Sequence, residues 1–154
     1  MAKPSRKSAL KNRSASRLAA VQALFQIEHT GCSPHEVILE FITYRFKNKE
    51  EGLIKANTSF FRKLVEGAWR IHNQSDEMIH GALKQGWTLD RIEPVARAIL
   101  RAALYEICET QTPSAVIIDE YLNITHGFFD EAEVSFVNGV LNTITQKIRP
   151  TINS

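Results

Sequence analysis

The chain has 154 residues, 44% hydrophobic and 23% charged, with 7 Gly and 5 Pro, a balance that suits one compact domain or two small halves and excludes collagen-like, low-complexity and disordered classes. Its charge is uneven: Lys3, Arg6, Lys7, Lys11, Arg13 and Arg17 occupy the first 17 residues without a single acid, leaving 13 bases against 17 acids in the rest. A basic arm on an acidic body predicts two partners of opposite charge.

Apolar residues recur at spacings of three and four and β-branched alternation is scarce, which predicts an all-α fold. Residues 1–13 form the basic arm, expected to be flexible and to order on binding. The first helix runs from Ser14 to His29 with Leu18, Val21, Leu24 and Phe25 inward, and Gly31 ends it. Ser33, Pro34 and Glu36 supply an N-cap, a first-turn proline and a capping-box acid for a second helix burying Val37, Ile38, Phe41 and Ile42. The polar interval Lys47 to Lys55 reads as a loop, and Asn57, Thr58 or Ser59 caps a third helix packed through Phe61, Leu64, Val65, Ala68 and Trp69. A fourth helix starts at Ser75 with Asp76 and Glu77, buries Met78, Ile79, Ala82 and Leu83, and stops at Gly86.

Pro94 opens the most apolar helix, in which Val95, Ala96, Ile99, Leu100, Ala103, Leu104 and Ile107 make a stripe broad enough for a central position. Thr112 and Pro113 restart the chain into a sixth helix, with Val116, Ile117, Tyr121 and Leu122, ending near Gly127. The last helix carries Val134, Val137, Leu141, Ile144 and Ile148 and is halted by Pro150. The expected architecture is about seven helices in two small stacked helical bundles, 14–86 and 87–150, with a seam near Gly86.

The chemistry of catalysis is poorly represented. Asp119 and Glu120 are adjacent, so on a helix they point about 100° apart and do not share a proton site. His29, His35, His72, His80 and His126 form no HExxH and no i, i+4 pair, and no phosphate-cradling glycine loop occurs. Cys32 and Cys108 lack metal-ligand spacing and read as packing residues. No apolar run can span a bilayer and the N-terminus has no secretory pattern, so a soluble cytoplasmic protein without membrane contact is expected.

Binding is better supported. Arg13 and Arg17 stand at i, i+4 and share a helix face suited to successive phosphates. Between Arg101 and Lys147 there is no base, whereas Glu106, Glu109, Asp119, Glu120, Asp130, Glu131 and Glu133 fall there. In the stretch Phe136 to Leu141, Gly139 costs a helix up to about 1 kcal/mol relative to Ala. Two accounts fit: a close helix approach over Gly139 with the Asn138 amide bonding a neighbouring loop, or Phe136 exposed at the helix start as a stacking platform for an unpaired base.

Five stretches in order resemble the NusB family of bacterial transcription antitermination factors: Arg13 to Arg17 leading into Ala20, Val21, Gln22, Ala23, Leu24 and Phe25; Phe60 to Leu64; Ala98 to Glu106; Pro113 to Glu120; and Phe136 to Leu141. The resemblance implies two helical bundles and no catalysis, cofactor or metal. It also implies binding of single-stranded boxA RNA in nascent ribosomal transcripts together with NusE, a small-subunit ribosomal protein, with other Nus factors and RNA polymerase engaged indirectly. Carried over by position, RNA contacts fall on Arg6, Lys7, Lys11, Arg13, Arg17, Gln22, Phe136 and Asn138, and partner contacts on Phe25, Arg97 and Glu106. The chain departs from the family pattern at Ser14, Ala15 and Ser16, where further bases are usual, at Ser135, where a Lys is common, and at Ala96, where an acid is common. The free chain could be monomer or homodimer on this reading. Two alternatives stay open: a protein-interaction scaffold, and the RNA-recognition module of ribosomal RNA cytosine methyltransferases, which would need a second, Rossmann-like domain.

Overall fold

A computed structural model describes residues 6–48 and 56–150, with side chains from residue 9 onward. Among these residues there are seven α-helices and no strand, as expected. The chain divides into two compact units, residues 1–67 and 68–154, and Gly86 lies inside the second.

In the first unit, α1 spans Arg6–Thr30, so the helix begins at Arg6 and not at Ser14. Ser14, the expected start, and Ser16 bond back along the helix: Ser14 Oγ donates to the Leu10 carbonyl (3.1 Å) and Ser16 Oγ to that of Asn12 (2.9 Å). The buried face is Ala19, Ala20, Val21, Ala23, Leu24 and Ile27, while Leu18 and Phe25 are half-buried. Gly31 ends the helix at φ +76°, a left-handed conformation that favours glycine.

The next helix, α2 (Pro34–Thr43), starts as its sequence predicts, with the Ser33 hydroxyl accepting from the Glu36 N–H at 3.2 Å. Replacing Ser33 by Ala should lower stability by about 1 kcal/mol in urea unfolding, and a change of only a few tenths would contradict the cap. A 3₁₀ turn at Arg45–Lys47 carries Phe46 into an edge-to-face cluster with Phe41 and Phe61, centroids 4.8 to 6.4 Å apart. Of the expected 47–55 loop, residues 49–55 lie outside the described residues. α3 (Thr58–Arg70) is capped by Asn57, whose Oδ1 accepts from the Phe60 N–H at 2.9 Å.

The second unit is built on α5 (Pro94–Glu109), buried almost continuously from Ala96 to Ile107, with α4 (His72–Ala82), α6 (Ser114–Phe128) and α7 (Glu131–Ile148) packed against it. Two sequence expectations fail here. Ser75 does not cap α4 but is fully buried inside it. Gly86 does not stop α4; it takes φ +88° in a turn closed by the Trp87 N–H on the Lys84 carbonyl (3.0 Å). The sixth helix ends at Phe128, next to Gly127 as expected.

Arg101 is 7% exposed and forks onto Asp76 through Nε (2.9 Å) and Nη2 (2.8 Å). Arg149, just past α7, donates to the carbonyls of Glu106, Ile107, Thr110 and Thr112 and to Ser114 Oγ, at 2.7 to 3.3 Å. These acceptors span the last turn of α5 and the α5–α6 connection, where a helix end leaves carbonyls short of backbone donors; Glu106 alone among them also takes the Thr110 N–H, at 3.1 Å. Both cysteines are exposed free thiols and not packing residues.

Candidate nucleic-acid interface

The basic stretch forms the first turns of α1, and its described side chains are held by the start of α3. Ser16 Oγ contacts the Asn57 carbonyl at 2.9 Å and accepts from the Asn57 N–H at 2.7 Å. That pairing places Phe60, in the first turn of α3, against α1. The guanidinium carbon of Arg13 lies 4.5 Å from the Phe60 ring centroid and that of Arg17 5.2 Å, both within cation–π range.

The two arginines share one face as expected, but their surroundings differ. Arg13 is exposed, whereas Arg17 is only 2% exposed. The expected direct phosphate contact by Arg17 therefore gives way to an interior position: its place four residues before Val21 and seven before Leu24 puts it on the buried stripe of α1. Lys11 is exposed, and the side chains of Arg6 and Lys7 lie outside the described residues.

Gln22 and Phe25 continue along α1. Gln22 Oε1 accepts from Arg45 Nη2 at 3.4 Å, and the Arg45 guanidinium carbon stands 4.4 Å from the Phe41 ring. Phe25 is half-buried and stacks on His29, with centroids 5.6 Å apart and planes 7° from parallel.

In the second unit, Phe136 is the sixth residue of α7 and half-buried, so it is neither at the helix start nor a fully exposed platform. Its ring centre lies 6.4 Å from that of Trp87, which is 42% exposed. The two rings wall a cleft of about 480 Å³ whose floor and rim include Lys84, Ser135, Gly139 and Thr143. On the far side they border a smaller recess of about 250 Å³ with Arg91 and Glu133.

The helix-approach account of Gly139 fails, because a Cβ built there meets nothing within 4 Å. Asn138 is exposed and its Oδ1 accepts from Asn142 Nδ2 at 2.6 Å, a contact along the same helix and not to a neighbouring loop. Gly139→Ala should consequently raise stability by about 0.5–1 kcal/mol in urea unfolding. A loss of stability would show that something packs on the glycine after all.

The two remaining expected partner residues are engaged within the fold. Arg97 is half-buried and Nη1 donates to the carbonyls of Leu89 (3.1 Å) and Ile92 (2.5 Å), tying down the 3₁₀ turn before α5. Glu106 is 0% exposed and accepts from the Tyr121 hydroxyl at 2.6 Å, so the expected surface contact is replaced by an interior hydrogen bond. By contrast Asp119, Asp130 and Glu131 are exposed, giving the second unit an acidic surface on α6 and at the start of α7. No group of His, Cys, Asp or Glu among the described residues could hold a metal ion. No helix among them is long and apolar enough to cross a membrane.

These features define an all-α protein of two helical units, with a basic face backed by an aromatic ring on the first and an aromatic cleft and acidic surface on the second. The NusB family model matches residues 14–146, and the chain belongs to that family. A relative from Allorhizobium ampelinum, the transcription antitermination protein NusB, is 42% identical over 140 residues, covering 89% of this chain and 88% of its own. The NusB structure from T. maritima superposes with a TM-score of 0.75 at 30% identity, over 97% of this chain and 96% of that one. A crystal structure of the antitermination factors NusB and NusE in complex with dsRNA contains a chain that superposes with a TM-score of 0.74 at 25% identity, covering 90% of this chain and 98% of that one.

Proposed function

We propose that this chain is a non-catalytic, RNA-binding transcription antitermination factor of the cytoplasm. With NusE it binds the boxA element of nascent ribosomal RNA and, through the other Nus factors, keeps RNA polymerase from terminating early. Membership of the NusB family over residues 14–146 is the observation that carries this reading. The solved complex of a family relative with NusE and RNA supports the choice of partners.

The chemistry of each unit suits its proposed partner. Lys11 and Arg13 are exposed on α1 and, with Arg6 and Lys7, supply cations for backbone phosphates. Arg17 contributes positive potential from within. Phe136 and Trp87 offer ring faces to a base, the sequence-tolerant contact that single strands make. Asn138 is exposed on the same helix and is available to a base edge. The surface bearing Asp119, Asp130 and Glu131 is complementary to a basic ribosomal protein, with Phe25 and Arg97 as further candidates for NusE contact.

Salt dependence tests the arm. With about four phosphate contacts on a single strand, log affinity should fall with log salt at a slope near −3, and Arg13→Ala should reduce its magnitude by about 0.7. Fluorescence anisotropy of a boxA-like RNA across a salt series measures both. A flat salt response would remove the arm from RNA binding.

A further inference from the structure

We propose that Phe60 is a positioning residue for RNA binding. It touches no phosphate itself; its ring carries the Arg13 guanidinium and holds the outward N–H edge ready for one. The inference rests on the RNA-binding reading and adds to it a residue on a different helix from the basic stretch.

The geometry begins with the junction of α1 and α3. Ser16 Oγ accepts from the Asn57 N–H at 2.7 Å, its one proton lying between the Asn12 and Asn57 carbonyls, each 2.9 Å away, and the Asn57 side chain caps the helix at the Phe60 N–H (2.9 Å). Phe60 is thereby fixed three residues from a clamp that includes α1. Its ring meets Arg13 at 4.5 Å and Arg17 at 5.2 Å.

A guanidinium lying on a ring face uses its π surface there and keeps its planar N–H edge for a carboxylate or phosphate fork. The side chain loses its rotamer freedom in the free protein instead of on binding, the form of preorganisation that raises affinity without adding a contact. Placing both guanidinium carbons near one ring centroid also keeps them within about 10 Å of each other, a Debye length at moderate salt. Their fields therefore add at the exposed Arg13 edge, which favours a polyanion. Arg17, buried and engaged, is the fixed member of the pair, and Arg13 is the exposed one.

Between Arg13 and Arg17 this chain has Ser14, Ala15 and Ser16 and no further cation. Ser16 meets Asn57, so Arg13 and Arg17 are the cations of this turn and the Phe60 ring lies against both.

The test is a double-mutant cycle on the full chain, read by anisotropy of a fluorescein-labelled boxA-like single-stranded RNA over a salt series. Phe60→Leu should weaken binding about three- to tenfold while leaving the salt slope unchanged, because no phosphate contact is deleted. Phe60→Tyr should restore wild-type affinity. Arg13→Lys keeps the charge without the planar fork and should lose affinity by a similar factor, and its exposed site makes it the variant to use if Phe60→Leu unfolds. Combined with Arg13→Ala, Phe60→Leu should have no further effect. In the free protein, the Arg13 Nε–H resonance should lose its ring-current shift in Phe60→Leu.

An equal loss on Phe60→Leu with or without Arg13 would mean a structural role only and would overturn the proposal, as would Arg13→Lys binding like the wild type. A wild-type chain that binds no RNA would overturn the RNA-binding reading first and this proposal with it. The wild-type titration tells the two failures apart.

Discussion

Arg149→Ala should lower the unfolding free energy by about 3–5 kcal/mol, because one charged side chain serves several carbonyls at once. The guanidinium donates to the carbonyls of Glu106, Ile107, Thr110 and Thr112 and to Ser114 Oγ, at 2.7 to 3.3 Å. Truncation removes this donor from the carbonyls of Ile107, Thr110 and Thr112 where the chain turns into α6, while Glu106 keeps the Thr110 N–H and hydroxyl, and each unsatisfied partly buried acceptor costs about 1–3 kcal/mol when water cannot replace the donor. Urea unfolding followed by circular dichroism measures the change. Arg149→Lys should recover only part of it, since a point charge cannot reach acceptors spread around a planar fork. A loss under about 1 kcal/mol would mean that water enters and serves the same carbonyls.

The second large effect is expected on affinity. Phe136→Ala should weaken binding of a boxA-like RNA by roughly 5- to 150-fold, the equivalent of about 1–3 kcal/mol for one stacked base. The ring is half-buried, its centre lies 6.4 Å from that of Trp87, and both rings line a cleft of about 480 Å³. Phe136→Leu separates the two contributions of the ring, since leucine fills much of the volume but offers no π face. Affinity should fall in both variants while stability falls mainly in the alanine variant. Equal RNA affinity in wild type and leucine variant would remove stacking from the site.

Much of the fold is legible where punctuation and packing agree. Ser33, Pro34 and Glu36 place α2 correctly, Pro94 opens α5, and Gly31 takes the left-handed conformation its position demands. The errors share one cause: a residue type suited to a helix end can also sit inside a helix. Ser14 and Ser16 return their hydroxyls to carbonyls four residues back, so α1 runs through them. Ser75 is buried within α4. Nothing local distinguishes those uses; the difference is made by what packs on the helix.

The candidate site was readable in its charges and unreadable in its partners. Arg13 and Arg17 follow from their spacing, but the Phe60 ring beneath them comes from 43 residues further along the chain from Arg17 and depends on the Ser16–Asn57 clamp. Two burials did leave a trace. Arg17 continues the stripe of Val21 and Leu24, and Glu106 stands three residues after Ala103 and seven after Ile99 on the apolar side of α5. A charge in register with an apolar stripe is turned inward and finds a partner there, as Glu106 does with Tyr121.

The most direct test is a fluorescence-anisotropy titration of a boxA-like single-stranded RNA and a scrambled control, each with and without NusE, at near-physiological salt. Preferential binding to the boxA-like RNA, tightened by NusE, is the predicted result. Equal weak binding to both RNAs, with NusE still forming a complex, would contradict it and leave a protein scaffold whose basic helix start is only an electrostatic surface.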